Sequence, residues 1–140
     1  MIIMAYKRNT MQKRVVFDIF NSMHNHPSAG MVYDEVHIKY PDISRATVYR
    51  LLAEAADEGK ILRIKINSSP DRYDFTLRPH YHILCRKCGA VADVDVDIDS
   101  SMIPDRAKAY EGFTVEDCHI EFTGLCAECK KHPNQPVEKQ

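Results

Sequence analysis

The sequence predicts an α+β protein in which a winged helix-turn-helix domain precedes a smaller α/β domain. Helical periodicity in three segments between residues 11 and 59, followed by an alternating strand pattern, predicts the first domain. Two Cys-x-x-Cys pairs that enclose strand-like segments predict the second. The dipeptide Arg78-Pro79 marks the boundary between them, because proline biases the residue before it towards extended backbone.

Length and composition are typical of a globular protein. The 140 residues are 44% hydrophobic and 28% charged. No apolar run approaches the roughly 20 residues that span a bilayer, and the N-terminus lacks the apolar stretch and cleavage site of a signal peptide. We therefore expect a cytoplasmic protein whose five cysteines are ligands or free thiols in a reducing compartment.

Each of the three helices begins after a hydroxyl side chain that can cap it. Thr10 precedes the first helix, Ser28 the second and Ser44 the third. Such side chains accept hydrogen bonds from the free amide groups of a helix start. Gly59 is expected to end the third helix, since glycine readily adopts the left-handed conformation found just past a helix end.

A β-hairpin follows the helices, with one strand in residues 60–66 and its partner in residues 72–75. Three helices and a hairpin make a winged helix-turn-helix, whose third helix enters the DNA major groove. Arginine can hydrogen-bond to a guanine edge there, and threonine or tyrosine can pack on a thymine methyl group. Four side chains of the third helix off its apolar stripe are therefore candidate DNA contacts: Arg45, Thr47, Tyr49 and Arg50. The same arrangement also occurs in domains that bind only protein.

Basic residues concentrate near the N-terminus, although the net charge is only −1. Residues 1–75 carry 11 Lys and Arg against 9 Asp and Glu, whereas residues 76–140 carry 8 against 11. A basic cluster can contact DNA phosphates, although an ordinary solvated helix face would show the same pattern. The four candidates are Lys7, Arg8, Lys13 and Arg14.

Two cysteine pairs of identical spacing predict a structural metal site. Cys85 and Cys88 form the first pair, and Cys126 and Cys129 form the second after 37 intervening residues. Four thiolates can close a tetrahedral site around one Zn2+ per chain, and such a site stabilises the fold. Four unliganded thiols are the alternative, which the matched spacing disfavours.

The segment HYHILC, residues 80–85, predicts a second and separate site. Side chains alternate along a strand, so His80 and His82 share a face and Cys85 lies on the other. Nitrogen and oxygen ligands suit Fe(II), Mn(II), Zn(II) or Ni(II). The candidate partners of the two histidines are His26, His37, Asp74, Asp93 and His119. The residues 95, 97 and 99 are interpreted as a solvated acidic strand face.

These motifs together resemble the ferric uptake regulator (Fur) family of metal-dependent repressors, over about residues 8–130. The similar segments are SRATVYRLLAEAADEGKI, RYDF, HYHILCRKCG and GLCAEC. The resemblance implies a homodimer on double-stranded operator DNA, without a membrane partner or enzymatic activity. It implies a winged-helix domain in residues 1–78, an α/β dimerisation and metal-binding domain in residues 79–131, and Zn2+ on the four cysteines. Residues 132–140 are polar and proline-bearing, which predicts a disordered tail.

Within the family the chain is most similar to the peroxide-responsive branch. The resemblance implies a regulatory Fe2+ or Mn2+ held by His26, Asp74, His80, His82 and Asp93. Aspartate at position 93 is the choice of that branch, whereas iron-sensing relatives often have glutamate. The implied activity is the sensing of hydrogen peroxide through iron-catalysed oxidation of a histidine, with no small molecule bound besides metal and peroxide. Cys118 stands where the family often has histidine.

Two other functions fit some of the same residues. An iron- or zinc-uptake regulator of the same family would share every motif apart from the aspartate at position 93. A zinc hydrolase could use His80 and His82 with a carboxylate, but it would need a nearby acid or base, and the sequence contains no HExxH motif.

Overall fold

The structure, a computed structural model, describes residues 2–66 and 69–134, with side chains from Arg8 onward in the first helix. The chain divides into two compact units between Arg78 and Pro79. The first unit is mainly helical and the second contains a three-stranded sheet, which confirms the predicted α+β class. Among the helices described, none is both long and apolar enough to cross a membrane.

The first unit consists of three helices and a two-stranded hairpin. The helices are α1 (Ile2–Ser22), α2 (Ala29–Lys39) and α3 (Arg45–Asp57). Strands β1 (Leu62–Ile64) and β2 (Arg72–Asp74) pair antiparallel, with Arg63 opposite Tyr73. This is the winged helix-turn-helix arrangement that the sequence predicts.

Two of the three predicted helix caps are confirmed. Ser28 Oγ accepts a hydrogen bond from the Met31 amide at 3.2 Å, and Ser44 Oγ accepts one from the Thr47 amide at 3.1 Å. Gly59 follows α3 with φ of +73°, as expected of the residue past a helix end. The predicted cap at Thr10 is wrong, because α1 already begins at Ile2. The preceding residues contain no glycine or proline that would interrupt a helix there.

One apolar core holds the three helices of the first unit together. Its fully buried side chains come from all three helices: Val16 and Phe20 of α1, Val32 and Val36 of α2, and Val48 and Leu52 of α3. Tyr73 of β2 belongs to the same core, which fixes the hairpin against the helices. Burial of this stripe leaves the opposite side of α3 in solvent, where its polar side chains lie.

The second unit is built on a sheet of order β4-β3-β5. Strand β3 (Tyr81–Cys85) pairs antiparallel with β4 (Val91–Val94) and parallel with β5 (Phe122–Gly124). A 3₁₀ turn (Ser100–Met102) leads into the short helix α4 (Ile103–Arg106), and α5 (Ala127–Lys131) follows β5.

The acidic strand that the sequence predicts in the second unit is shorter than its pattern indicates. Strand β4 ends at Val94, so the acidic residues 95, 97 and 99 lie beyond it, all exposed. The alternation of apolar and acidic residues continues past Val94, but these residues do not pair with a strand in the described part of the chain. Pairing with a neighbouring strand, rather than the sequence pattern, decides where a strand ends.

The sequence also predicts a disordered tail over residues 132–140. Residues 132–134 form a bend and turn, and residues 135–140 lie outside the described part of the chain.

Candidate metal centres and nucleic-acid interface

The end of β3 and the end of β5 bring the two cysteine pairs together. These strands run parallel with Cys85 opposite Gly124, so both chain segments leave the sheet at the same edge. Gly89, with φ of +78°, turns the first pair, and its amide donates to the Cys85 carbonyl oxygen at 2.9 Å. The Cys126 amide donates to the Cys85 sulfur at 3.4 Å, which ties the second pair to the first.

The four sulfur atoms have the spacing of a tetrahedral thiolate site. The sulfurs of Cys85, Cys88, Cys126 and Cys129 all lie within 4.8 Å of one another, and those of Cys88 and Cys126 are 3.7 Å apart. A Zn–S bond of about 2.3 Å places the ligands of a tetrahedron about 3.8 Å apart, so the cluster fits zinc. The fifth thiol is not part of this group, since the Cys118 sulfur lies 3.5 Å from the Ser100 carbonyl oxygen.

Thiols of the cluster differ in how readily they ionise. Burial raises the pKa of Cys85, but amide hydrogen bonds from Cys88, Cys126 and Lys87 outweigh it and lower that pKa to about 6. Burial and the neighbouring thiols raise the pKa of Cys129 to about 12. Negative charge therefore concentrates on Cys85 while Cys129 keeps its proton, the unequal sharing expected where several thiolates crowd together without a cation. A divalent cation would displace that proton.

In the first unit, His26 and Asp74 face each other at a junction between the α1–α2 loop and the hairpin. The Tyr73 amide of β2 donates to the Pro27 carbonyl oxygen at 2.9 Å, and Arg72 Nη1 donates to the His26 carbonyl oxygen at 3.0 Å. These bonds place His26 Nε2 3.3 Å from Asp74 Oδ2. Both side chains are largely buried, at 11% and 6% exposure.

Local backbone geometry also orients this pair. His26 has φ of +50°, a left-handed conformation that is uncommon for residues other than glycine. The Thr76 amide donates to Asp74 Oδ1 at 2.8 Å, which leaves Oδ2 directed at the imidazole. A hydrogen bond of this kind fixes the direction of a carboxylate, as a metal ligand requires.

In the second unit, the strand register brings one carboxylate to two histidines. Asp93 of β4 lies directly opposite His82 of β3. His80, two residues before His82 on the same face, has its ring centroid 4.4 Å from that of His82. Asp93 Oδ1 lies 3.3 Å from His80 Nε2 and 3.4 Å from His82 Nε2. Metal–ligand bonds of about 2.1 Å place neighbouring nitrogen and oxygen donors about 3.0–3.4 Å apart, so these side chains also fit a metal.

The other two candidate partners of the histidines lie elsewhere. His37 Nδ1 is 3.2 Å from the Tyr33 hydroxyl on α2. His119 is exposed, with Nε2 3.9 Å from a Glu121 carboxylate oxygen. Within the described chain, neither belongs to a group of three or more potential ligands.

Of the candidate DNA contacts on α3, Arg45, Tyr49 and Arg50 are exposed and Thr47 is half-buried. All four contact one another or a neighbouring side chain. Arg45 Nη1 donates to the Tyr49 hydroxyl at 3.1 Å. Arg50 Nη1 lies 3.1 Å from both carboxylate oxygens of Glu54, and both side chains of that pair are about half exposed. The Thr47 hydroxyl lies 2.9 Å from Ser44 Oγ, so the helix cap uses it.

Among the side chains of α1 that the structure describes, the basic candidates form no comparable network. Arg8, Lys13 and Arg14 are exposed, and Arg14 Nε lies 4.0 Å from the Asp18 carboxylate. The side chain of Lys7 lies outside the described residues.

The fold and the side-chain clusters together define a class of protein: a metal-responsive, DNA-binding transcription regulator. The chain belongs to the Ferric uptake regulator family, which matches residues 5–123. It is 34% identical over 128 residues to the peroxide-responsive repressor PerR of Staphylococcus epidermidis, covering 91% of this chain and 84% of that one.

Solved structures show the same relationship. The Campylobacter jejuni peroxide stress regulator is 27% identical with a TM-score of 0.65, covering 92% of this chain and 98% of that one. A zinc-bound manganese uptake regulator is 26% identical with a TM-score of 0.61, covering 82% and 87%. The chain is thus similar both to peroxide regulators and to a metal-uptake regulator.

Proposed function

We propose that this protein is a cytoplasmic, homodimeric repressor that binds double-stranded operator DNA when metal-loaded and releases it when peroxide oxidises a histidine ligand. The observation that carries the proposal is the Asp93 carboxylate within 3.4 Å of two imidazole nitrogens, in a chain similar to peroxide-responsive repressors. Aspartate rather than glutamate at this position supports the peroxide-sensing branch of the family.

The four clustered cysteines would hold one structural Zn2+ per chain. Their sulfurs surround a common centre at the spacing zinc requires. Four thiolates leave no open position, so this site would cross-link β3 to the segment after β5 without binding a substrate.

The remaining five ligands would share one regulatory Fe2+ or Mn2+: His26, Asp74, His80, His82 and Asp93. Nitrogen and carboxylate donors in this mixture suit either ion. Two of these ligands belong to the DNA-binding unit and three to the second unit. A dimer reads both half-sites only when its two recognition helices have the separation of the groove repeat. Metal would therefore favour the DNA-binding arrangement through its differential affinity for it.

Iron, when bound, would supply the activation of hydrogen peroxide. One peroxide oxygen would then form a bond to a ring carbon of a ligand imidazole, and the other would leave as water. The imidazoles of His26, His80 and His82 would be the nearest oxidisable groups. Thiol oxidation is the competing route. The four clustered cysteines would be bound to zinc and closed to peroxide, so Cys118, which lies outside the cluster, would be the competing thiol. Oxidation of a ligand would weaken the metal site and with it the DNA complex.

Peroxide treatment of metal-loaded protein tests the proposal. The probe is the duplex that Mn2+-loaded protein enriches from a randomised library, with a shuffled duplex of the same composition as reference. We expect low peroxide to abolish binding by the Fe2+-loaded protein and to leave the Mn2+-loaded protein bound. Peptide mass spectrometry should find one added oxygen on the peptide with His26 or the peptide with His80 and His82, in the iron-loaded sample only.

Two outcomes would contradict the proposed sensor. One is DNA release that follows oxidation of Cys118 or of the clustered cysteines. The other is an iron-loaded protein that ignores peroxide, in which case a metal-uptake regulator would be the better description. The similarity to a manganese uptake regulator supports that second candidate.

Substitution of Arg50 and Arg14 should separate base reading from phosphate binding. Arg50→Ala is expected to cost roughly 1–3 kcal/mol on the enriched duplex and much less on the shuffled one, because a guanidinium that bonds a base edge discriminates between sequences. Arg14→Ala should weaken both complexes equally and flatten the salt dependence of binding. Equal losses on both duplexes for Arg50→Ala would show that Arg50 does not read bases.

A further inference from the structure

Arg45, the first residue of α3, is exposed and lies beside two tyrosines from different helices. Its guanidinium carbon lies 4.6 Å from the ring centroid of Tyr33 on α2 and 5.7 Å from that of Tyr49 on α3. Its Nη1 also donates to the Tyr49 hydroxyl at 3.1 Å. A cation above an aromatic face is attracted by the ring quadrupole, so Tyr33 holds a residue of the recognition helix without belonging to that helix.

Tyr33 is in turn held in place on α2. Its ring packs against the apolar core, and its hydroxyl lies 3.2 Å from Nδ1 of His37, one helical turn further on. The two rings are 5.2 Å apart. The aromatic face under Arg45 is therefore part of the helix scaffold rather than of a mobile side chain.

Gly30 makes room for this arrangement at the start of α2. A Cβ atom at Gly30 would lie 3.1 Å from the Tyr49 hydroxyl oxygen and 3.8 Å from Arg45 Nη1. The first distance is shorter than an ordinary van der Waals contact, so any larger residue would push the Tyr49 hydroxyl away. The absence of a side chain lets the Tyr49 hydroxyl approach α2.

We propose that Tyr33, a residue of α2, determines DNA sequence preference by positioning Arg45 and, through Arg45, Tyr49. The inference rests on the proposed function, in which α3 reads bases. Arginine has many rotamers, and recognition of a base edge needs one of them. A guanidinium already oriented by Tyr33 and Tyr49 loses less conformational freedom on contact with the correct base. Its charge, which any phosphate would attract, does not depend on that orientation.

The test compares two substitutions of Tyr33 in the Mn2+-loaded, full-length protein. Tyr33→Leu keeps an apolar side chain against the core but removes the aromatic face. Tyr33→Phe keeps the face and removes only the hydroxyl that contacts His37. Affinity is measured on the enriched and shuffled duplexes at several salt concentrations. We expect Tyr33→Leu to reduce the preference for the enriched duplex by roughly 10-fold with an unchanged salt slope, and Tyr33→Phe to retain the preference.

Gly30→Ala provides an independent variant that should not unfold the protein. Alanine is favoured over glycine inside a helix, so thermal stability should stay the same or rise. The displaced Tyr49 hydroxyl should nevertheless lower the preference for the enriched duplex. This combination separates positioning from folding, since a structural role of Tyr33 alone would lower stability and affect both duplexes alike.

Different results would overturn different conclusions. If wild-type protein prefers the enriched duplex and Tyr33→Leu keeps that preference, the inference fails and the proposed function stands. The same holds if Tyr33→Leu weakens both duplexes by the same factor. If wild-type protein shows no sequence preference with any of the metals, both the inference and the proposed function fail.

Discussion

Cys85→Ser is expected to remove about one zinc ion per chain and to leave a protein that unfolds or fails to dimerise. Cys85 is the buried member of the cluster, 4% exposed, and stands where β3 meets β5. A serine hydroxyl is a poor zinc ligand, and structural zinc contributes roughly 10–16 kcal/mol in small zinc domains. Much of the energy that joins the two cysteine pairs would therefore be lost. Metal analysis, thermal unfolding and size-exclusion chromatography measure the three consequences.

Cys118→Ser is the matched control, because it makes the same chemical change outside the cluster. The Cys118 sulfur contacts the Ser100 carbonyl oxygen, an interaction that a serine hydroxyl can also make. We expect normal zinc content and a normal unfolding midpoint. A Cys85→Ser protein that remained a stable dimer with its zinc would show that the cysteine cluster is not the structural site.

Asp74→Asn is expected to weaken the metal dependence of DNA binding strongly while the protein stays folded. Asparagine has the size of aspartate and its carbonyl oxygen can still accept the hydrogen bond from the Thr76 amide. It removes the negative charge beside His26, and a neutral amide is a much weaker ligand for Fe2+ or Mn2+ than a carboxylate. We expect the metal concentration needed for half-maximal DNA binding to rise by at least about 10-fold.

Asp95→Asn makes the same change at an exposed acidic residue just past β4 and should leave the metal response unaltered. Circular dichroism and thermal unfolding would show that both variants fold. If Asp74→Asn kept the wild-type metal response, Asp74 would not be a ligand of the regulatory metal. An equal loss in both variants would point to net charge rather than to coordination.

The local structure of the first unit could be read from sequence because short-range chemistry decides it. Ser28 and Ser44 cap helices through contacts within three residues, and the apolar stripe of α3 repeats at the helical period. The start of α1 could not be read in this way. Thr10 is a good cap by residue type, yet a cap forms only where the preceding residues leave the helix, and here they continue it.

The cysteine cluster was also predictable from sequence, because two Cys-x-x-Cys pairs in one chain are typical of a shared metal site. The ligand histidines carry a weaker signal: strand alternation placed His80 and His82 on one face but could not select their partners. Residue type left five candidate partners, and only the resemblance to a known family selected His26, Asp74 and Asp93 from them.

Residue type and short spacing were enough to predict the helices and the hairpin of the first unit, two of the three helix caps and the cysteine pairs. Which distant side chains meet depends instead on how the elements pack and pair. Asp93 and Asp95 look equivalent in an alternating acidic strand, but the β3–β4 register places only Asp93 opposite His82. His26 meets Asp74 because β2 pairs with the loop before α2, and Tyr33 meets Arg45 because α2 packs on α3. Each of these contacts depends on backbone pairing or helix packing over long chain separations, which no local pattern of residues encodes.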